Sequence, residues 1–169
     1  MTKKYELRKH KQLLLKSVQT HILPVFIQQG FVVAPGVQMV DRSTADTFPF
    51  ELRRGRPDGG VDLVEIQFMT YQRAAFRINV CPVPKEGMTT LGGHRKPDEL
   101  HASGLHDHFE MYASPRWWRW FSLWFWSLRT PVESDYDKLA SRVAGFLPEV
   151  ELALRDGKLG PHMRRIAIR

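Results

Sequence analysis

Apolar side chains recur at helical spacing along residues 2–29, where Leu14, Val18, Ile22, Val25 and Phe26 fall on one face. Pro24 lacks an amide hydrogen and crowds the preceding turn, so a break is expected near Leu23, with Gly30 as the C-terminal stop. Phe31-Val32-Val33 then predicts a strand, Ala34-Pro35-Gly36 a turn, and residues 37–42 a second arm. A polar loop follows at 43–47. Phe48 to Arg54 reads as a strand that Pro49 pushes towards a sheet edge.

The period changes from helical to twofold after the turn signal Arg56-Pro57-Asp58-Gly59-Gly60. In residues 61–70, Val64, Ile66 and Phe68 share one face. After Tyr71-Gln72-Arg73-Ala74, Phe76, Ile78 and Val80 alternate with Arg77, Asn79 and Cys81. Two such runs joined by a short connection predict an antiparallel hairpin. Residues 82–107 are rich in Pro and Gly and read as one long irregular loop, a length often tied to function. Phe109 to Ala113 predicts a short strand, and residues 116–126 hold all five tryptophans. The stripe Leu139, Val143, Phe146, Leu147, Val150 and Leu154 predicts a helix over 133–155, N-capped by Ser134 and kinked by Pro148.

Helix, several strands, then helix is the order of an α+β fold: an antiparallel β-sheet with N-terminal and C-terminal helices packed on one face. The absence of a βαβα alternation argues against a doubly wound fold. At 169 residues the chain fits a single domain. Cys81 is the only cysteine, which excludes an internal disulfide and a thiolate zinc site and suits a reducing, cytoplasmic setting. No run is long and apolar enough for a membrane span, and Leu13-Leu14-Leu15 is too short for a signal peptide.

The net charge of +7 is unevenly placed. Residues 1–16 carry six Lys/Arg against one Glu, and residues 155–169 five against one Asp, leaving the middle slightly acidic. Basic ends attract nucleic acid without sequence specificity. The favoured reading is two solvated helix or tail segments, because a nucleic-acid reader concentrates its charge on a shaped surface.

Four groups are candidates for chemistry. His101, His106 and His108, with His94 nearby, supply metal-ligand atoms, although their spacing matches no helical zinc motif. The alternative is ordinary polar loop histidines, with His101 or His106 as a conceivable general base. Arg116, Trp117, Arg119 and Trp120 interleave cations with rings, which suits a protein partner surface or base stacking; the competing reading is a core strand. Cys81 has no adjacent cation to activate it. Glu65, Gln67, Arg77 and Asn79 share the non-core face of the hairpin, as a solvated row or as the lining of a polar groove. P-loop, G-x-G-x-x-G, G-x-S-x-G and C-x-x-C motifs are missing.

The helix ending in Gly30-Phe31, Ile66-Gln67-Phe68, Phe76-Arg77-Ile78-Asn79-Val80, and the Trp-rich segment followed by Phe146-Leu147-Pro148 resemble the bacterial domain of unknown function 4304 family over roughly residues 10–155. The chain departs from that pattern in its extended 82–107 loop and its density of tryptophan. The resemblance implies an α+β fold and transfers no catalytic residue. Some relatives look similar to small immunity-type proteins encoded beside toxins. The expected function is a non-enzymatic protein-binding or accessory module without a cofactor. The alternatives are a metal-assisted hydrolase built on the loop histidines, or non-specific nucleic-acid binding.

Overall fold

The computed structural model describes residues 3–34, 50–69, 73–90, 92–113, 120–123 and 129–167. The N-terminal helical pattern forms α1 (Lys3–His21) and α2 (Leu23–Gln28). They are separate because Pro24 cannot continue the ladder and instead sits in the first turn of α2. Gly30 turns the chain at φ +87 into β1 (Val32–Val33). The expected second arm at 37–42, the loop at 43–47, and Phe48 and Pro49 lie outside the described residues. The remainder of that strand is β2 (Phe50–Gly55).

The hairpin forms as the alternation predicts, from β3 (Val61–Phe68) and β4 (Ala75–Val83), with Ile66 opposite Ile78 and Glu65 opposite Asn79. β4 runs on through Pro82. Its pairing with the strand Asp107–Met111 covers only Ile78–Val80, so the missing proline N–H is not needed on that side. The predicted irregular loop is largely ordered. It contains a small hairpin, β5 (Met88–Thr90) with β6 (Gly93–Arg95), and two 3-10 turns at Pro97–Glu99 and Ala102–Gly104. Gly87 permits the entry to that hairpin. It lies at φ +85, and a Cβ there would sit 1.9 Å from the Arg95 carbonyl oxygen.

β7 (Asp107–Met111) pairs with β4, and β8 (Phe121–Ser122) pairs with the start of β4. The C-terminal helical stripe splits into α3 (Glu133–Ala144) and α4 (Pro148–Asp156) at the turn preceding Pro148. The N-cap position is Val132 rather than Ser134, and the Asp135 carboxylate accepts the Val132 N–H at 2.9 Å. The basic C-terminal segment is not a solvated tail. Its residues Met163–Ala167 form β9, which pairs with β7. The sheet is antiparallel in the order β1-β2-β3-β4-β7-β9, with β8 beside β4.

All the helices pack on one face of this sheet. Leu14, Val18, Ile22 and Phe26 from the N-terminal helices meet Leu139, Val143, Leu147 and Val150 over Val64, Ile66, Phe76 and Ile78. Alternation therefore leaves the odd-numbered positions of β2, β3 and β4 on the helix-free face. The 84–106 segment covers one part of that face, enclosing a second apolar cluster of Leu63, Cys81, Val83, Leu100, Ala102 and Leu105.

Candidate functional site

A line of polar side chains crosses the helix-free face at one level of the sheet. Glu51 in β2 stands opposite Glu65 in β3, Glu65 opposite Asn79 in β4, Asn79 opposite Glu110 in β7, and Glu110 opposite Arg164 in β9. The first four are almost sealed from water, at 2%, 4%, 0% and 1% exposure. The hairpin's polar face is therefore buried at Glu65 and Asn79, and only half-buried at Gln67 and Arg77. Carboxylates are expensive to bury without compensation, and apolar residues of like volume are often the more stable choice. Three of them, Glu51, Glu65 and Glu110, stand at one level of this face.

Compensation is organised at both ends. At the β2 end, Arg53 donates from Nε to Glu51 (2.6 Å) and from its terminal nitrogens to the carbonyls of Pro97 (3.2 Å) and Leu100 (3.1 Å). Glu51 also accepts a short hydrogen bond from Nδ1 of His101. At the β9 end, Glu110 accepts from Arg77 (3.2 Å) and Arg164 (2.7 Å). Arg77 also donates to Gln67 Oε1 (2.6 Å) and stacks over the Trp120 ring at 4.9 Å. In the middle, Asn79 donates to Gln67 over 3.4 Å, while its buried Oδ1 has no hydrogen-bond partner.

Of the three histidines proposed as metal ligands, His101 and His108 go to different partners. The imidazole of His101 sits on Glu51 with 65% of its side chain exposed. His108 is buried and donates to the Leu105 carbonyl at 2.8 Å, and His106 is half-buried between them in sequence. His94 reaches the Glu86 carbonyl at 2.6 Å. Among the described residues no three His, Cys, Asp or Glu side chains are placed to hold a metal ion.

Of the aromatic candidates, Arg116, Trp117 and Arg119 lie outside the described residues. Trp120 borders the polar row through Arg77. Cys81 is buried among apolar side chains, and its thiol is pushed up to about 12 by that burial and then by the charges of Asp107 and Asp62. Such a thiol is no nucleophile at neutral pH.

A serine, a histidine and an acid do meet elsewhere, on the α1–α3 seam. Ser141 Oγ lies 3.2 Å from His21 Nδ1, and His21 Nε2 lies 3.3 Å from Asp137, which also accepts from Ser17 (2.7 Å). Ser141 is inside a helix whose amides bond its own carbonyls, so no backbone donors converge on an oxyanion beside it. The arrangement is an interhelical polar clamp.

Sequence reasoning singled out Glu65, Gln67, Arg77 and Asn79, but not Glu51, Arg53, Glu110 or Arg164. Period-two alternation within the hairpin was the signal for the first four. The others join them through strand registers that no local pattern encodes. Within the described residues no helix is long and apolar enough to cross a membrane. Comparison of the chain with protein-family models, curated proteins and solved structures gives no match.

Proposed function

We propose that this α+β domain is a non-enzymatic binding module, an accessory or immunity-like protein, which meets a protein partner with the helix-free face of its sheet. The carrying observation is the polar row from Glu51 to Arg164, which buries three carboxylates, on β2, β3 and β7, where apolar residues would pack more cheaply. Trp120 and Arg77 at its border are residue types that anchor protein interfaces. The buried thiol and the dispersed histidines fit binding better than turnover.

The test is capture from the native host followed by lysine crosslinking and size-exclusion chromatography. A partner is expected to crosslink to Lys85 and Lys96, in the segment covering the helix-free face. Crosslinks confined to Lys16 and Lys138, on the helical side, or a chain that stays monomeric and captures nothing reproducible, would overturn the reading.

A further inference from the structure

Charge at the β9 end of the helix-free face lies in two layers. Glu110 is the only carboxylate that β4, β7 and β9 place on this face, because Asp107 alternates to the opposite one. Its side chain is 1% exposed, and Glu65, two strands away on β3, is likewise sealed. The two guanidiniums seated on Glu110 stand further out, with 21% of the Arg77 side chain and 34% of the Arg164 side chain open to solvent. An arriving group meets these cations before the acid beneath them. Coulomb energy falls with distance, so this end of the face favours acids over bases.

An aromatic ring accompanies each cation. Arg77 lies over the Trp120 ring at 4.9 Å and Arg164 over the Tyr112 ring at 5.7 Å, and both rings are half-buried. A ring face steadies a guanidinium without consuming its N–H groups. Arg164 spends Nη2 on Glu110 at 2.7 Å. Among the described residues its Nη1 makes no hydrogen bond, and its Nε is buried without a partner. Arg164 thus keeps donor capacity for an acceptor supplied from outside.

We propose that Arg164 and Arg77, held on Glu110 and flanked by Tyr112 and Trp120, receive a side-chain carboxylate from an acidic segment of the protein partner. This step rests on the binding reading above and names the partner's chemistry. The incoming carboxylate accepts from Nη1 of Arg164 and lies in the field of Arg77. The hydrogen bonds of both arginines to Glu110 stay in place, and no buried group has to be uncovered. Tyr112 and Trp120 supply the apolar contact around it.

The experiment follows the Nε–H resonances of Arg77 and Arg164 and the indole N–H of Trp120 in isotopically labelled full-length protein. The probes are acetylated and amidated hexaglutamate, with hexaglutamine and hexalysine as neutral and basic controls. Saturable shifts at these three groups are expected for hexaglutamate alone, with Kd on the order of millimolar and weakening as salt rises. Arg164→Gln is expected to weaken that binding about tenfold or more. The proposal is overturned if hexaglutamate gives no saturable shift at these groups, if its shifts are confined to the basic residues of α1 and α3, or if a control peptide does as well. A folded Arg164→Gln variant that binds undiminished overturns it too. If Arg164→Gln does not fold, the location of the shifts in the wild-type protein decides alone. Probe binding without partner capture would defeat the protein-module reading only; partner capture on this face without probe binding would defeat the present inference only.

Discussion

The buried carboxylate of Glu51 holds Nδ1 of His101, a residue 50 positions further along the chain. The same carboxylate holds Arg53, whose remaining donors fasten the Pro97 and Leu100 carbonyls. Two side chains on one strand thus latch residues 96–105 onto the helix-free face. Glu51→Gln keeps the volume and removes the charge. It is expected to lower stability in urea unfolding by about 1.5–3 kcal/mol, the range for a hydrogen bond to a charged group. Amide exchange should rise within 96–105 and stay slow in β3 and β4. Unchanged exchange in that segment would show that the latch carries no load.

Cys81 offers a test of how tightly the second apolar cluster is closed. A thiol shifted to about 12 is roughly one part in ten thousand thiolate at pH 8. Native protein is therefore expected to be almost inert to a disulfide reagent at that pH, and to react fully and fast in denaturing urea. Rapid native labelling would mean that the 84–106 segment opens readily from β3 and β4.

The acid side of the stability profile is set in part between β7 and β9. Hydrogen bonds from Arg165, then its charge, hold the Asp107 carboxyl below its ordinary value of 3.8. A depressed carboxylate stabilises the fold above its unfolded pKa, and that contribution is lost as pH falls through the lower, folded value. Asp107→Asn should therefore be less stable than wild type near pH 6, with the gap closing below about pH 3.8. Thermal unfolding of both proteins from pH 6 to pH 2 measures it; a gap independent of pH would remove the Arg165 pairing as its cause.

Much of the scaffold was legible because its rules are local. Pro24 and Pro148 announce helix breaks through a missing donor and a ring clash, and the breaks occur there. Val64, Ile66, Phe76 and Ile78 announce a one-sided hairpin through period two. The loop at 82–107 was misjudged because its Gly and Pro punctuate a real but very short hairpin, too brief for periodicity to register. β9 was missed because Met163–Ala167 holds two arginines, and only Glu110 and Asp107 on the neighbouring strand make a sheet position suitable for them.

The sequence by itself determined the broken helical segments at both ends, the antiparallel hairpin and the helical layer over its apolar face, since backbone sterics and hydrophobic period act between near neighbours. Only the tertiary structure decided that Glu51, Glu65, Asn79, Glu110 and Arg164 stand in line and that His101, His106 and His108 do not converge. Strand register and the choice of ion partner are long-range outcomes. They are settled when distant segments compete to neutralise the same buried charge, and no window of the chain contains that competition.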